Sequence, residues 1–212
     1  MAIYLNGTLI PTSGIGGVQT FTSSGTFTVP SGVTKVYVSG CGGGGAGGGS
    51  YNRSSTAQFA GTGGGAAACA YRTPISVTPG NSITITVGNG GAGVAASTGN
   101  SGGTTSFGTA LSLPGGGGGG LLTPGSSGGF GGSAGESVYS DYQGDAGNYY
   151  VYWSGNGGSS MFGIGGNRVF GSNNNGKAGN GYGSGGSGSV TMNAINENAG
   201  GSGAPGVIIV EW

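Results

Sequence analysis

The chain has 212 residues, enough for one or two domains, and 59 of them are glycine. Five basic and five acidic residues give a formal net charge of zero, and there is no histidine. This composition excludes the electrostatic footprint of nucleic-acid binding, catalysis by Ser-His or Cys-His pairs, and histidine-based metal sites. No run approaches the apolar length that a membrane helix needs.

Glycine at this level is often a sign of disorder, because ordering each residue costs about 1–2 kcal/mol of backbone entropy. Disordered chains carry few aromatic residues, however, whereas this one has ten Tyr, seven Phe and two Trp. A collagen repeat is also excluded, since no strict Gly-X-Y period is kept and there are only seven prolines. The composition favours an ordered protein, with flexible spacers as the alternative for the glycine runs.

The first 18 residues predict a β-hairpin followed by a linker. Two short apolar runs flank Asn6-Gly7, the dipeptide most typical of a two-residue hairpin turn. A lone hairpin is unstable in water, so we expect it to dock on something else. Residues 12–17 are rich in glycine and serine and predict a linker.

Residues 19–113 show the period-two alternation of β-strands. Thr78-Pro79-Gly80-Asn81 predicts a type II turn between two such stretches. No stretch combines a helical period with capping residues, so the fold class is all-β. The alternating residues that we expect to face a core are Phe27, Val29, Val36, Val38, Ile83, Ile85 and Val87.

The last six residues, 207–212, are apolar on both faces and predict a buried central strand. This strand follows a long glycine-rich stretch, so the chain must leave a sheet and return to it. We therefore predict a small antiparallel β-sandwich made by residues 19–113 with 205–212. Residues 114–204 are the predicted loop-presenting region.

The glycine runs themselves predict a packed framework. Runs such as residues 42–49 (broken only by Ala46) and 115–120 cannot form a stable α-helix or an ordinary strand. They can form extended threefold helices of the polyproline II type, rising about 3.1 Å per residue. Such helices pack with their backbones in contact and satisfy each other's N–H and C=O groups. The segments between the runs stay free to vary as loops.

Two motifs imitate nucleotide-binding sites. Gly88, Gly90 and Gly93 fit the dinucleotide pattern G-x-G-x-x-G, but a polar loop follows where a helix should aim its N-terminus at the phosphates. Residues 171–178 imitate a P-loop, with Ala178 at the position of the Mg²⁺-coordinating Ser or Thr. We interpret both as products of glycine content and expect no cofactor.

Three acidic residues, Glu136, Asp141 and Asp145, lie among tyrosines, as paired carboxylates do in sugar-cleaving enzymes. Catalytic carboxylates need rigid support, and this stretch predicts a loop. We expect no enzymatic activity, with a polysaccharide depolymerase as an open alternative. Cys41 and Cys69 each fall where a strand meets a glycine run, and we expect free, buried thiols there.

The aromatic residues are concentrated in one part of the chain, together with Ser, Gly and Asn. Tyr and Trp give large contact areas at low entropic cost, which is why this composition is typical of antibody paratopes. The alternative is that the rings fill gaps in a thin core. The predicted binding residues are Tyr139, Tyr142, Tyr149, Tyr150, Tyr152, Trp153, Phe162 and Phe170, joined by Tyr51 and Phe59 from an earlier loop.

Residues 26–33 followed by 36–49 resemble the glycine-rich domain of bacteriophage tail-fibre proteins. The resemblance extends over 77–80, over 83–93 with 102–108, and over the ending 203–212. Among related proteins, the tip adhesins of T-even-like long tail fibres are similar in using polyglycine helices to carry variable host-binding loops. The chain departs from those adhesins at its start, where a short hairpin stands in place of a long attachment domain.

The resemblance implies an adhesin at the distal tip of a tail fibre, assembled in the host cytoplasm and carried on the virion. Its implied partners are a fibre shaft protein, bound through the N-terminal hairpin, and an outer-membrane protein or surface glycan. A monomer and a homotrimer both stay open. Because the start of the chain lacks a signal peptide, nothing predicts export. The alternatives are an ice-binding protein and a purely structural virion component.

Overall fold

A computed structural model describes residues 3–5, 8–10, 16–51, 58–121, 153–171, 173–192 and 197–212. None of these residues lies in an α-helix, and no described helix could therefore cross a membrane. The described strands are β1 (Ile3–Leu5), β2 (Thr8–Ile10), β3 (Val18–Phe21), β4 (Gly25–Thr28), β5 (Lys35–Cys41), β6 (Ser50–Tyr51), β7 (Gln58–Ala60), β8 (Cys69–Ser76), β9 (Ser82–Thr86), β10 (Thr105–Phe107), β11 (Leu111–Leu113), β12 (Phe162–Ile164), β13 (Asn173–Asn174), β14 (Asn180–Tyr182), β15 (Val190–Met192), β16 (Glu197–Asn198) and β17 (Val207–Glu211).

Two four-stranded antiparallel sheets form a sandwich, as predicted. One sheet has the order β3-β17-β5-β8 and the other β11-β10-β9-β4. The C-terminal strand β17 is central, hydrogen-bonded to β3 on one side and β5 on the other. Apolar side chains from both sheets meet in one core: Phe27, Val29, Val36, Val38, Ile75, Ile85, Phe107, Leu113, Ile208 and Val210.

The local turn and hairpin predictions are also confirmed. Gly80 has a φ of 81°, and the Asn81 N–H donates to the Thr78 carbonyl at 3.1 Å, as a type II turn requires. At the N-terminus, β1 and β2 pair antiparallel, with Leu5 opposite Thr8, whereas Asn6-Gly7 lies outside the described residues.

Ten extended segments pack into a bundle at one end of the sandwich. Segment 1 (residues 42–49) shows their geometry, because its N–H groups go to three neighbours in strict rotation. Residues 42, 45 and 48 donate to one neighbour, 43, 46 and 49 to a second, and 44 and 47 to a third. A repeat of three residues per turn is that of the polyproline II helix, so the predicted glycine packing is present. Segments 2 to 10 are residues 61–68, 88–94, 97–103, 114–120, 154–158, 165–169, 176–179, 183–189 and 199–206.

The hydrogen bonds place the ten segments in three layers. Segment 1 donates to segments 2, 4 and 10 and accepts from segments 3, 5 and 9, so six neighbours surround it. Segment 9 is likewise surrounded, by segments 1, 2, 6, 7, 8 and 10. The outer layers are therefore segments 5, 2 and 6 and segments 3, 10 and 8. Segments 4, 1, 9 and 7 form the middle layer, and segments 1 and 9 are the interior of the bundle.

Successive segments run in opposite directions. Residues 42, 45 and 48 of segment 1 pair with residues 68, 65 and 62 of segment 2, and the same reversal continues along the chain. One end of the bundle, called proximal here, joins the sandwich through β5, β8, β9, β10, β11 and β17. The other end, called distal, is where odd-numbered segments finish and even-numbered segments start.

This arrangement differs from the predicted division, in which residues 114–204 form a loop-presenting region separate from residues 19–113. Segments 1 to 4 precede that residue, and their hydrogen bonds to segments 5, 9 and 10 make one bundle of all ten. The chain passes between sandwich and bundle repeatedly because each segment must reverse direction before the next one packs beside it. Sandwich and bundle are therefore interleaved in sequence and stacked end to end in space.

Candidate functional site

The distal end of the bundle collects the five connections that join segments 1 to 2, 3 to 4, 5 to 6, 7 to 8 and 9 to 10. The described parts of these connections are tied together by short strands. Strand β15 pairs with both β7 and β13, and β16 pairs with β6. The connections are thus cross-linked by backbone hydrogen bonds where they leave the bundle.

A small apolar cluster supports this end. Ala60 and Val190 come from two different connections, Val169 is the last residue of segment 7, and the three form a second core, separate from that of the sandwich. Each is buried, and Val190 is fully so. Side chains larger than the hydrogen atom of glycine fit here, because the segments end and no further polyproline II helix packs against them.

A network of buried hydroxyls lies beside this cluster. The Ser50 hydroxyl is 2.8 Å from that of Ser189 and 2.9 Å from that of Thr191. The Asn198 side-chain amide donates to the Thr191 hydroxyl at 2.7 Å and to the Val190 carbonyl at 3.0 Å. Satisfied buried polar groups fix one arrangement of the connections, because breaking any one bond would leave a partner unpaired away from water.

An aromatic cluster with a cation is exposed at one corner of the distal end. The rings of Trp153 and Phe170 pack with centroids 4.8 Å apart and tilted by 40°. The Arg168 guanidinium lies over the Trp153 ring, 4.4 Å from its centroid, within range of a cation–π interaction. Phe170 keeps 59% of its surface exposed although it is part of this cluster. Stacking therefore holds the rings in place without burying them.

The structure brings four of the ten predicted binding residues to the distal end. Trp153 and Phe170 lie in the cluster just described. Tyr51 ends β6 and Phe59 is the middle residue of β7, both in the first distal connection. Five of the remaining six lie outside the described residues, in the connection that leaves segment 5 at the distal end and returns at Trp153: Tyr139, Tyr142, Tyr149, Tyr150 and Tyr152.

Phe162 is the exception, because it lies at the proximal end. It begins β12, which joins segments 6 and 7 beside the sandwich, and pairs with Tyr182 of β14. The alternating segment directions separate it from Trp153 and Phe170 by the length of the bundle. Met161 and Ile164 beside it are 60% and 70% exposed. Sequence proximity grouped these aromatics, whereas the topology divides them.

Arg168 is the functional candidate that sequence reasoning missed. It is one of only five basic residues in the chain and stands two residues before Phe170. That scarcity was a usable signal, but nothing local in the sequence shows that its guanidinium reaches Trp153. Among the described residues its charge is not in an ion pair, in contrast to Arg72, which binds Glu211 on the sandwich at 2.9 Å.

In both nucleotide-site imitations, glycines allow close packing of segments. A Cβ on Gly88, Gly90 or Gly93 would overlap backbone atoms of segments 4 and 10. In the second imitation, a Cβ on Gly176 would overlap Ser187 and Gly201. No α-helix follows either motif among the described residues. The acidic residues Glu136, Asp141 and Asp145 lie outside the part of the chain that the structure describes.

A groove of about 600 Å³ lies on the sandwich, away from the distal end. Serine, threonine and apolar residues line it, including Ile75, Thr84 and Phe107, and none of its lining residues is charged. Its lining supplies no pair of acid and base.

A family model described as a glycine-rich domain matches residues 20–212. The match begins within β3 and runs to the last residue, so it covers the complete bundle and all of the sandwich except the first two residues of β3. No curated protein matches the chain significantly.

Proposed function

Since the chain belongs to the glycine-rich domain family, we propose that it is a receptor-binding adhesin at the tip of a bacteriophage tail fibre. Its distal end contacts an outer-membrane protein or a surface glycan of the bacterial host. The observation that carries this proposal is the position of five connections at one end of a rigid bundle. Variable loops on a fixed scaffold are a recurrent solution for recognition.

The polarity of the molecule supports attachment at the opposite end. Gly17 and Trp212 exchange backbone hydrogen bonds of 2.8 and 3.0 Å at the far edge of the sandwich. A strand and a segment placed end to end put this point roughly 40 Å from the distal connections. The N-terminal hairpin, β1 and β2, precedes Gly17 and is the proposed contact with the fibre shaft. An adhesin needs this separation between attachment and receptor.

The exposed cluster gives the proposed contact surface its first anchors. Trp153 and Phe170 offer rigid apolar area, and Arg168 offers a charge that no described carboxylate neutralises. Trp, Tyr and Arg are the residues that most often dominate binding energy at interfaces. Tyr51, Phe59 and the five tyrosines of residues 139–152 extend the proposed surface.

Binding to cells tests the proposal. Fluorescently labelled protein is incubated with a panel of Gram-negative strains, and unlabelled protein is then added before phage to measure adsorption. We expect saturable binding to a subset of strains and reduced phage adsorption on that same subset. Absence of binding to every strain whose phages carry this protein would overturn the proposal.

One observation favours the ice-binding alternative. The outer face of the second sheet is a ladder of hydroxyls, with Thr26 opposite Thr84 and Ser106 opposite Thr86. Thr26, Thr28, Thr84 and Thr86 are exposed, and their regular spacing is about 4.8 Å across strands and about 6.8 Å along them. Thermal hysteresis of the purified protein, lost on replacing Thr84 and Thr86 with Tyr, would establish this second function.

A further inference from the structure

Two cysteines lie directly opposite each other where the sandwich meets the bundle. Cys41 is the last residue of β5, Cys69 is the first of β8, and the two are partners in the antiparallel register. The next pair, Gly42 and Ala68, is hydrogen-bonded, with the Gly42 N–H donating to the Ala68 carbonyl at 3.1 Å. Since hydrogen-bonded and non-hydrogen-bonded pairs alternate, Cys41 and Cys69 form a non-hydrogen-bonded pair.

That position suits a disulfide. Cα atoms in a non-hydrogen-bonded pair are about 4.5 Å apart, at the lower end of the range of about 4.4–6.8 Å found for disulfides. Partners in a register also project to the same face of the sheet, so the two sulfurs meet without backbone movement. Both cysteines are free thiols in this structure, Cys41 buried and Cys69 half-buried.

We infer that Cys41 and Cys69 are a latent disulfide that closes when the protein leaves a reducing compartment and meets a low-molecular-weight disulfide. The bond would close a loop containing segment 1, the first distal connection and segment 2. It would therefore fix segment 1, which is interior, to its neighbour segment 2 at the point where both meet the sandwich. This inference rests on the strand register and does not depend on the proposed receptor.

The reaction is two thiol–disulfide exchanges. The half-buried Cys69 gives its proton to solvent and attacks one sulfur of the small disulfide, which releases one small thiol and leaves a mixed disulfide on Cys69. Cys41 then loses its proton and attacks the Cys69 sulfur, releasing the second small thiol. Two protein thiols are oxidised to one disulfide, and one small disulfide is reduced to two thiols.

Refolding in a glutathione redox buffer tests the inference without depending on how well the folded protein shields its thiols. After refolding, the protein is denatured in acid, and its free thiols and intact mass are measured. We expect wild type to have no free thiol and no glutathione adduct. Under the same conditions Cys41→Ser should instead keep a glutathione adduct on Cys69. Wild type that keeps both thiols, or carries adducts, would overturn the inference.

Thermal melting gives an independent readout. The oxidised protein should melt roughly 5–15 °C higher than the reduced protein, because the disulfide constrains the unfolded chain. Adding a reductant should reverse the shift, and the double variant Cys41→Ser/Cys69→Ser should show none. An oxidised form that melts at or below the reduced form would show a strained bond and contradict the inferred fit.

Discussion

Inside the bundle, the space at each residue is set by the backbones of the neighbouring segments. A Cβ on Gly44 or Gly47 would overlap the carbonyl of Ser184 or Ser187, and a Cβ on Gly48 would overlap that of Gly120. These glycines do not need unusual torsion angles, since none of the three has a positive φ. What they provide is the absence of a side chain at a contact between backbones.

Substitution of an interior glycine should therefore destabilise the protein strongly. Gly47→Ala forces segments 1 and 9 apart, which we expect to cost about 1–3 kcal/mol or more, as overpacked cores do. Gly25→Ala is the matched control, because its Cβ would meet the Phe21 ring no closer than 3.6 Å. Denaturant unfolding measures both. Equal stability of the two variants would contradict the claim that neighbouring backbones leave no space for a side chain at interior glycines.

A second residue-scale effect concerns Cys41 in the reduced protein. Burial, and then the neighbouring Cys69, raise the pKa of Cys41 from 9.0 to about 12. The folded state therefore holds this proton more tightly than the unfolded state. Its contribution to stability is complete below pH 9 and is lost as the pH rises toward 12.

The resulting prediction is a difference between two pH profiles. Above pH 9, the free energy of unfolding of reduced wild type should fall by about 1.4 kcal/mol per pH unit more than that of Cys41→Ala. Urea unfolding with a reductant present measures both proteins, and the subtraction removes the contributions of Tyr and Lys. Parallel profiles would show that Cys41 is not desolvated.

At the scale of elements, the ten segments are not equivalent. Segments 1 and 9 are surrounded on six sides, yet segment 9 contains the fully buried serines Ser184, Ser187 and Ser189. Their hydroxyls form hydrogen bonds with backbone groups. Ser184 donates to the Asn180 carbonyl, and Ser187 accepts from the Lys177 N–H. At the distal end Ser189 continues into the hydroxyl network with Ser50, Thr191 and Asn198.

Removing one hydroxyl should loosen this distal network. Thr191→Val keeps the side-chain shape but deprives Ser50 and Asn198 of a partner, which we expect to cost about 1–3 kcal/mol. Thr84→Val, on the exposed face of β9, is the control and should change stability little. Hydrogen exchange should also speed up at β6 and β16 in Thr191→Val alone. Unchanged exchange there would show that the network does not hold the connections.

Sequence patterns predicted the sandwich because its signals are local. Period-two alternation marked Val36 and Val38, and the turn chemistry at Gly80 fixed the entry into β9. The neighbours of each glycine segment were not predictable, since glycines carry no pattern that distinguishes an interior segment from an outer one. The grouping of Phe162 with Phe170 failed for the same reason: separating them requires the direction of every intervening segment.

For the candidate site, the composition of the sequence identified the aromatic residues but not the contacts that hold them in place. Trp153 and Phe170 were expected from sequence, and they do pack together. The contact of Arg168 with Trp153 joins segments 6 and 7, which become neighbours only when the bundle forms. Long-range pairing of this kind has no signature in a single sequence.

At the scale of the whole molecule, the bundle separates two ends with different surfaces. The distal end carries the Trp153, Phe170 and Arg168 cluster, and the proximal end joins the sandwich and carries the exposed Met161 and Ile164. The proposed function assigns recognition to the first end and attachment to the second. Exposed apolar residues at both ends make a matched comparison available.

The most direct test of this assignment is the binding of two single variants to susceptible cells. Phe170→Ser removes a 59% exposed ring at the distal end, and Ile164→Ser removes a 70% exposed side chain at the proximal end. We predict that Phe170→Ser weakens binding at least tenfold, the loss of about 1.4 kcal/mol, while Ile164→Ser binds as wild type and both melt normally. Full binding by Phe170→Ser together with loss of binding by Ile164→Ser would contradict the assignment.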